Sequence, residues 1–323
     1  MDIIRELENP SSEYRGHPFW SWNDKLDPEM LRWQICEMKR VGLGGYFMHA
    51  RGGLITEYLS DDWFECIKAC VDEGKKIGME SWSYDENGWP SGFGGGIVSG
   101  MGDRYHVRWL VCEPYRSRKT PEGKPLGFYG ISDTKCRYLG VKPREAVAAA
   151  AEDETVYCVS HDKNVNYVDI LNPKVVKEFI KCTYDVYAEK LGGDFGGQAM
   201  PGFFTDEPQF ARCKIPWSYV LPAEFRKTNG YDIIEKLPLL FLERDGYEKF
   251  RFDFWRVVSR LYTESFGKQI YDWCEAHNCK FTGHAMMEDS LYAQMACTAG
   301  VMPLYEYMHN PGMTGSAAIS QAR

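Results

Sequence analysis

The stretch HPFWSWND at positions 17–24 joins an aromatic run to a polar end. Aromatic residues favour a strand, and Asn23 and Asp24 stand where that strand would end. Helix signals follow at once, because Asp27 is a good capping residue and Pro28 suits a first helical turn. A strand followed directly by a helix is typical of parallel βα units. This stretch therefore predicts an α/β fold.

The same alternation of strand and helix continues along the chain. The further predicted strands are 45–49, 79–84, 202–205, 280–284 and 304–309. Helical patterns lie between them, beginning after Ser60 and at Asn172 and covering 247–277. Six strands predict a (β/α)8-type TIM barrel that is incomplete by two strands, with residues 316–323 as the start of a sixth helix.

The segment between the third and fourth predicted strands has a different pattern. Short β-prone runs such as 107–112 and 155–159 are separated there by proline, glycine and charged residues. We expect a small antiparallel β insertion after the third strand. The predicted organisation is therefore residues 1–102 as the first part of the barrel, 103–170 as the insertion and 171–323 as its continuation.

The composition of the chain indicates which kind of molecule it binds. The net charge is −8 with dispersed basic residues, which argues against nucleic acid. Aromatic residues make up 15% of the chain, including 10 Trp and 20 Tyr, and their flat rings suit a carbohydrate partner. The sequence is silent on oligomeric state.

The expected location is the cytoplasm. The start lacks a signal-peptide pattern, and no apolar run approaches the roughly 18 residues of a membrane span. The 11 cysteines are an odd number without a Cys-x-x-Cys pair, as expected of reduced thiols. We expect no bound metal and no cofactor.

Polar side chains follow each predicted strand, and in barrels this end carries the active site. They are Asn23 and Asp24, His49 and Arg51, Asp85 and Glu86, Asp206 and Glu207, His284 and Glu288, and Glu306 and His309. Trp22 and Trp89 lie beside these ends, where an aromatic ring would stack on a sugar. The candidate substrate-binding set is Trp22, Asn23, His49, Arg51, Asp85, Glu86, Trp89, Asp206, His284 and His309.

Glu207 is the candidate proton donor. Hydrolysis of a glycosidic bond needs one carboxylic acid to protonate the leaving oxygen and a second carboxylate as base or nucleophile. The apolar strand before Glu207 and the neighbouring Asp206 would both raise the pKa of Glu207. The second carboxylate remains open among Glu288, Glu306, Asp85 and Glu86.

Four segments carry a family resemblance: 19–23, 44–49, 84–92 and 204–208. Together they resemble the α-L-rhamnosidase-like glycoside hydrolases. The resemblance implies a TIM-barrel glycosidase that cleaves O-glycosidic bonds in plant or microbial oligosaccharides or glycosides by carboxylate acid/base catalysis.

The chain is also similar to a wider clan of retaining barrel glycosidases, from which it departs in two ways. That clan has an asparagine before its acid/base, where this chain has Asp206. Its nucleophile follows a seventh strand, which the six predicted strands do not include, and this would leave the chain inactive by itself.

Two other functions remain open. A metal-dependent barrel hydrolase would also use residues such as Glu207, His284 and His309, although such enzymes resemble one another in a His-x-His pair where this chain has His17-Pro18. A non-catalytic carbohydrate-binding fragment is consistent with the two missing strands.

Overall fold

The computed structural model describes residues 3–116, 123–210, 212 and 214–312. The strands are β1 Phe19–Trp22, β2 Gly45–Ala50, β3 Glu80–Asn87, β4 His106–Pro114, β5 Lys124–Ile131, β6 Cys136–Gly140, β7 Thr155–Val168, β8 Gly202–Asp206, β9 Pro216–Trp217, β10 Lys280–His284 and β11 Asn310–Pro311. The helices are α1 Ile3–Glu8, α2 Pro28–Arg40, α3 Asp61–Ile77, α4 Pro143–Ala149, α5 Pro173–Cys182, α6 Tyr184–Leu191, α7 Leu221–Asn229, α8 Tyr247–Tyr262, α9 Gln269–Ala276, α10 Leu291–Met295 and α11 Met302–Tyr305.

Six parallel strands form one sheet, in the order β1-β2-β3-β8-β10-β11. Successive side chains of a strand point to opposite faces. One face of the sheet packs against the helices. On this face the ring of Trp22 lies 5.1 Å from that of Trp63 on α3. On the opposite face Phe19 meets Phe204 edge-on, with ring centroids 4.7 Å apart. The second face therefore carries its own aromatic layer beneath the strand ends.

The α/β class is confirmed, whereas the TIM-barrel prediction is wrong. The parallel sheet is open within the described residues, since β1 and β11 each pair with one neighbour only. The remaining five strands form a separate antiparallel sheet, in the order β6-β5-β7-β4-β9, which is not a barrel pattern. Strand β11 has only two residues, and Pro311 has no N–H with which to extend the ladder.

The sixth predicted strand is also misplaced. Residues from Met302 to Tyr305 form helix α11, in which proline occupies the first turn. Leu304 is buried there, so the apolar spacing belongs to one face of a helical turn. The helix predicted for residues 316–323 lies outside the described residues.

The predicted antiparallel segment is present and larger than expected. Strand β7 extends to Val168 and pairs with β4 along nearly its whole length. Strand β9, which lies far beyond this segment in sequence, joins the sheet through Arg108 and Trp109 of β4. The antiparallel sheet is thereby tied to the chain that follows β8.

The helix-capping residues predicted from the sequence are confirmed. The side chains of Asp27, Ser60 and Asn172 accept hydrogen bonds from backbone N–H groups in the first turns of α2, α3 and α5. The long helical region consists of α8 and α9 joined by a π-helical segment, Thr263–Lys268. None of the helices within the described ranges has the length and apolar character needed to cross a bilayer.

Candidate active site

A cavity of about 540 Å³ opens at the carboxyl ends of the parallel strands. Four strands and the loop after β3 contribute to it. Its lining consists of Phe19, Ser21, His49, Arg51, Trp89, Asp206, Glu207 and His284. Phe19 and Ser21 are two residues apart on β1, so strand alternation places both on the cavity face. The same alternation brings Asp206 and His284 to this face from the neighbouring strands β8 and β10.

Glu207 follows β8 with a left-handed backbone, at a φ of 50°. Its N–H donates to the carbonyl of His284 at 3.2 Å, which ties it to the end of β10. Its Oε2 accepts a hydrogen bond of 2.9 Å from the indole Nε1 of Trp89. Burial raises the pKa of Glu207, and the opposing effects of His284 and Trp89 do not cancel this rise. Glu207 is therefore a carboxyl group that retains its proton to a higher pH than usual.

Asp206 is buried beside Glu207 and has the opposite character. Burial alone would raise the pKa of Asp206, but hydrogen bonds from His284 and Tyr84 outweigh it and lower the pKa. His284 Nε2 lies 2.9 Å from Oδ1, and the Tyr84 hydroxyl donates to Oδ2 at 2.8 Å. Two adjacent carboxyl groups thus favour different protonation states.

His284 stands between three carboxyl groups. Its Nδ1 lies 3.3 Å from Oε1 of Glu288 and 3.9 Å from Oε1 of Glu207, while its Nε2 faces Asp206. Burial opposes the charged form, but Asp206 and the two glutamates together raise the pKa of His284. Because one nitrogen is near both glutamates, their Oε1 atoms lie within about 7 Å of each other.

Glu288 lies behind His284 and is not part of the cavity lining. Its side chain is about one-tenth exposed, and its Oε2 accepts a hydrogen bond of 2.8 Å from the Tyr305 hydroxyl. Of the four residues considered for the second carboxylate, Glu288 is the one that the structure brings next to Glu207.

His49 is 2% exposed, and neither ring nitrogen has a hydrogen-bond partner among the described residues. Its ring lies 3.7 Å from that of Tyr84. Burial, reinforced by Arg51, lowers the pKa of His49 to about 4. Both nitrogens are shielded from solvent, so the neutral imidazole holds an unused donor and an unused acceptor in the wall of the cavity.

Asp85 and Glu86 lie near the end of β3 but do not line the cavity, and both are fully buried. Asp85 accepts hydrogen bonds from the hydroxyl groups of Ser91 and Tyr184, at 2.6 and 2.7 Å. The carboxyl group of Glu86 accepts from five backbone N–H groups, those of residues 87 and 92–95. These two residues hold the loop that carries Trp89.

The remaining candidates lie apart from the cavity. Trp22 is buried on the helix side of the sheet, and Asn23 is exposed beyond β1. Glu306 is exposed after α11. His309 precedes β11 and so lies near the amino ends of the strands, where its Nε2 is 2.6 Å from Glu275.

Sequence reasoning omitted three residues of this site: Phe19, Ser21 and Tyr84. Phe19 and Ser21 line the cavity, and Tyr84 holds Asp206. Strand alternation could have identified these three residues. Each one lies an even number of positions from the predicted end of its strand, or from a polar residue at that end, and so shares its face of the sheet. Within the described ranges, no three His, Cys, Asp or Glu side chains are placed to hold a metal ion together.

Comparison with known structures identifies a similar fold. A rhamnosidase from Novosphingobium sp. PP1Y matches with a TM-score of 0.66 at 12% identity, covering 95% of this chain and 49% of that one. At this identity the likeness concerns the fold alone, and the chain spans about half the length of that structure. Neither a protein-family model nor a curated protein matches the sequence.

Proposed function

We propose that this chain is a glycoside hydrolase that cleaves an O-glycosidic bond, with Glu207 as the proton donor. One observation carries the proposal: a carboxyl group with a raised pKa and an ionised carboxylate stand side by side in one cavity. The protonated member of this pair supplies the acid that glycoside hydrolysis requires, and the ionised Asp206 supplies a negative charge beside it. The fold shared with a rhamnosidase supports the same class of reaction.

In this proposal Glu207 protonates the leaving oxygen while the bond to the anomeric carbon breaks. The Trp89 indole, hydrogen-bonded to Glu207, orients that carboxyl group and offers an aromatic face to a sugar. The negative charge of Asp206 stabilises the positive charge that develops on the sugar ring. His49, neutral and without an internal partner, binds a sugar hydroxyl.

Glu288 is the proposed second carboxylate, which attacks the anomeric carbon itself or takes a proton from the water that does; it lies outside the cavity lining, so either role requires it to reach the sugar past His284. Its proximity to Glu207 supports this, because the separation of at most about 7 Å includes both the retaining spacing of about 5 Å and the shortest inverting spacings of about 6.5 Å. The stereochemistry of the product, followed by proton NMR, distinguishes the two.

A rhamnoside is the first substrate to test, after the name of the structural neighbour. Phe19 supports this choice: its ring is 46% exposed in the cavity and would pack against the methyl group of a 6-deoxy sugar.

The test compares the wild type with Glu207→Gln on aryl and alkyl α-L-rhamnosides and on matching galactosides. A nitrophenolate leaves without help, whereas an alkoxide needs a proton. The defect of Glu207→Gln should therefore grow as the pKa of the leaving group rises. Glu306→Gln is the matched control, since it makes the same chemical change on an exposed residue outside the cavity.

Three results would contradict this proposal. A defect that is independent of the leaving group would remove Glu207 from the acid role. Binding of oligosaccharides by the folded wild type without any turnover would identify a carbohydrate-binding fragment instead. Activity that chelators abolish would favour the metal-dependent hydrolase.

A further inference from the structure

A second cavity, also of about 540 Å³, adjoins the first across Trp89. It lies between strands β4 and β7 of the antiparallel sheet and the chain segment that follows β8. Trp109 of β4 and Tyr167 of β7 form aromatic walls, and Arg212 and Lys214 supply cations from the segment after β8. Trp89 lines both cavities, so a molecule that fills one can continue into the other.

The charge of this second cavity is unusual for the molecule. The chain has a net charge of −8, yet no acidic side chain is among the described residues that line this cavity. Three cations line it: Lys163, Arg212 and Lys214. Lys163 is paired with Asp103, whereas Arg212 and Lys214 form no ion pair with a described carboxylate. The cavity therefore has two cations that form no ion pair among the described residues, and one of them, Arg212, is near enough to Glu207 to lower its pKa.

Aromatic rings hold these two cations in place. The guanidinium of Arg212 lies 5.4 Å from the ring centroid of Trp89, and Nζ of Lys214 lies 3.4 Å from that of Trp109. One Nη of Arg212 also donates to the sulfur of Met286 at 2.8 Å, and the other N–H groups of the two cations remain to bond an anion. Each indole thus presents a flat apolar surface next to a positive charge.

We infer that the second cavity binds a hexuronate residue, on the other side of the scissile bond from the sugar held in the first cavity. This inference rests on the proposed function and names its substrate class, a saccharide that carries a carboxylate. The C–H face of the sugar packs on the indole faces that the two cations leave uncovered, and Arg212 bonds its carboxylate through the N–H groups that Met286 does not use. The shared Trp89 lies between the two sugar residues.

The test measures binding in the Glu207→Gln background, so that hydrolysis does not interfere. The probes are digalacturonic acid and its dimethyl ester, which differ in charge but not in ring number, titrated by calorimetry. A bond between a guanidinium and a carboxylate predicts that the acid binds about 10- to 100-fold more tightly than the ester. Arg212→Met and Lys214→Met should each reduce this preference about 10-fold.

Lys227→Met is the matched control, because Lys227 is an exposed lysine of α7 outside both cavities. It should retain the full preference. Equal binding of acid and ester, or a preference that survives both Arg212→Met and Lys214→Met, would overturn the inference.

These outcomes are separable from the fate of the proposed function. If no glycoside is hydrolysed but the preference for the acid depends on Arg212, the hydrolase proposal fails and the anion site stands. If hydrolysis depends on Glu207 but acid and ester bind alike, only the hexuronate site fails.

Discussion

Two neighbouring strands have the same dipeptide, Asp-Glu, near their carboxyl ends, with opposite consequences. Asp85 and Glu86 lie just before the last residue of β3, while Asp206 ends β8 and Glu207 follows it, and these strands pair directly. Every carboxyl oxygen of the β3 pair accepts a hydrogen bond from within the protein, and neither residue is exposed. The β8 pair faces a cavity, and Glu207 has a single described donor on its carboxyl group. The two aspartates each have both oxygens bonded, so the number of internal donors separates the glutamates: five on Glu86 and one on Glu207.

The largest effect is expected at Glu207, where a substitution should lower turnover but not stability. We predict that Glu207→Gln lowers kcat/KM on a rhamnoside with a poor leaving group by about 100- to 10,000-fold, the usual contribution of a general acid. The free energy of unfolding should change by less than about 0.5 kcal/mol, since the residue is partly exposed with few partners. Steady-state kinetics and denaturant titration check the two parts. A large loss of stability would show that Glu207 resembles Glu86.

The reverse pattern is expected at Glu86. Glu86→Gln replaces one carboxyl oxygen by an NH2 group, which cannot accept the backbone N–H bonds now made to that oxygen. We predict a loss of about 2–4 kcal/mol in the free energy of unfolding, measured by denaturant titration. The exposed Glu65 of α3 provides the control, because Glu65→Gln should change stability by less than about 0.5 kcal/mol. An unchanged stability of Glu86→Gln would break the comparison.

A smaller effect is expected at His49, on the cavity side of the comparison. His49→Phe keeps an aromatic ring against Tyr84 but removes both nitrogens. We predict a decrease of about 10-fold in kcat/KM, the value of one hydrogen bond to substrate. The melting temperature should not fall, because these nitrogens have no partner among the described residues. A drop in melting temperature with unchanged kinetics would assign His49 to the structural group.

The smallest expected effect concerns the pH profile. Burial raises the pKa of Glu207, and turnover requires its protonated form, so kcat/KM should fall as pH rises through a pKa above the ordinary 4.5. The charges that face Glu207 are His284 and Arg212, which lower its pKa, and Asp206, which raises it. Arg212→Met should therefore move the alkaline limb to higher pH. A shift to lower pH would contradict this assignment of charges.

Local patterns predicted the elements well where short-range chemistry decides them. Residues 280–284 were predicted as a strand and coincide with β10, and Asp27 and Ser60 cap the helices expected of them. Residues 304–309 failed because alternating tyrosines resemble a strand, while Pro303 and the buried Leu304 fit a helical turn. Closure of the sheet could not be predicted, because it depends on whether the first and last strands meet, and no local period encodes that contact.

The location of the candidate site could be predicted from the sequence, but not which residues belong to it. Strand ends pointed to Asp206, Glu207, His49 and His284, which the structure brings together. The same rule of choosing polar residues at strand ends also selected Asp85 and Glu86, because it takes no account of hydrogen-bond donors elsewhere in the chain. Ser91 and residues 92–95 come from the loop just after β3, whereas Tyr184 lies 99 positions away, and only the folded chain shows that they saturate this pair.

The left-handed backbone of Glu207 bears on how this protein would respond to laboratory evolution. Residues other than glycine and asparagine hold such a conformation at a cost of about 1–2 kcal/mol. A library selected only for heat resistance should therefore enrich glycine or asparagine at this position, whereas a library selected for turnover should keep glutamate. The residue found at position 207 would then show whether a population of variants had been selected for heat resistance or for turnover.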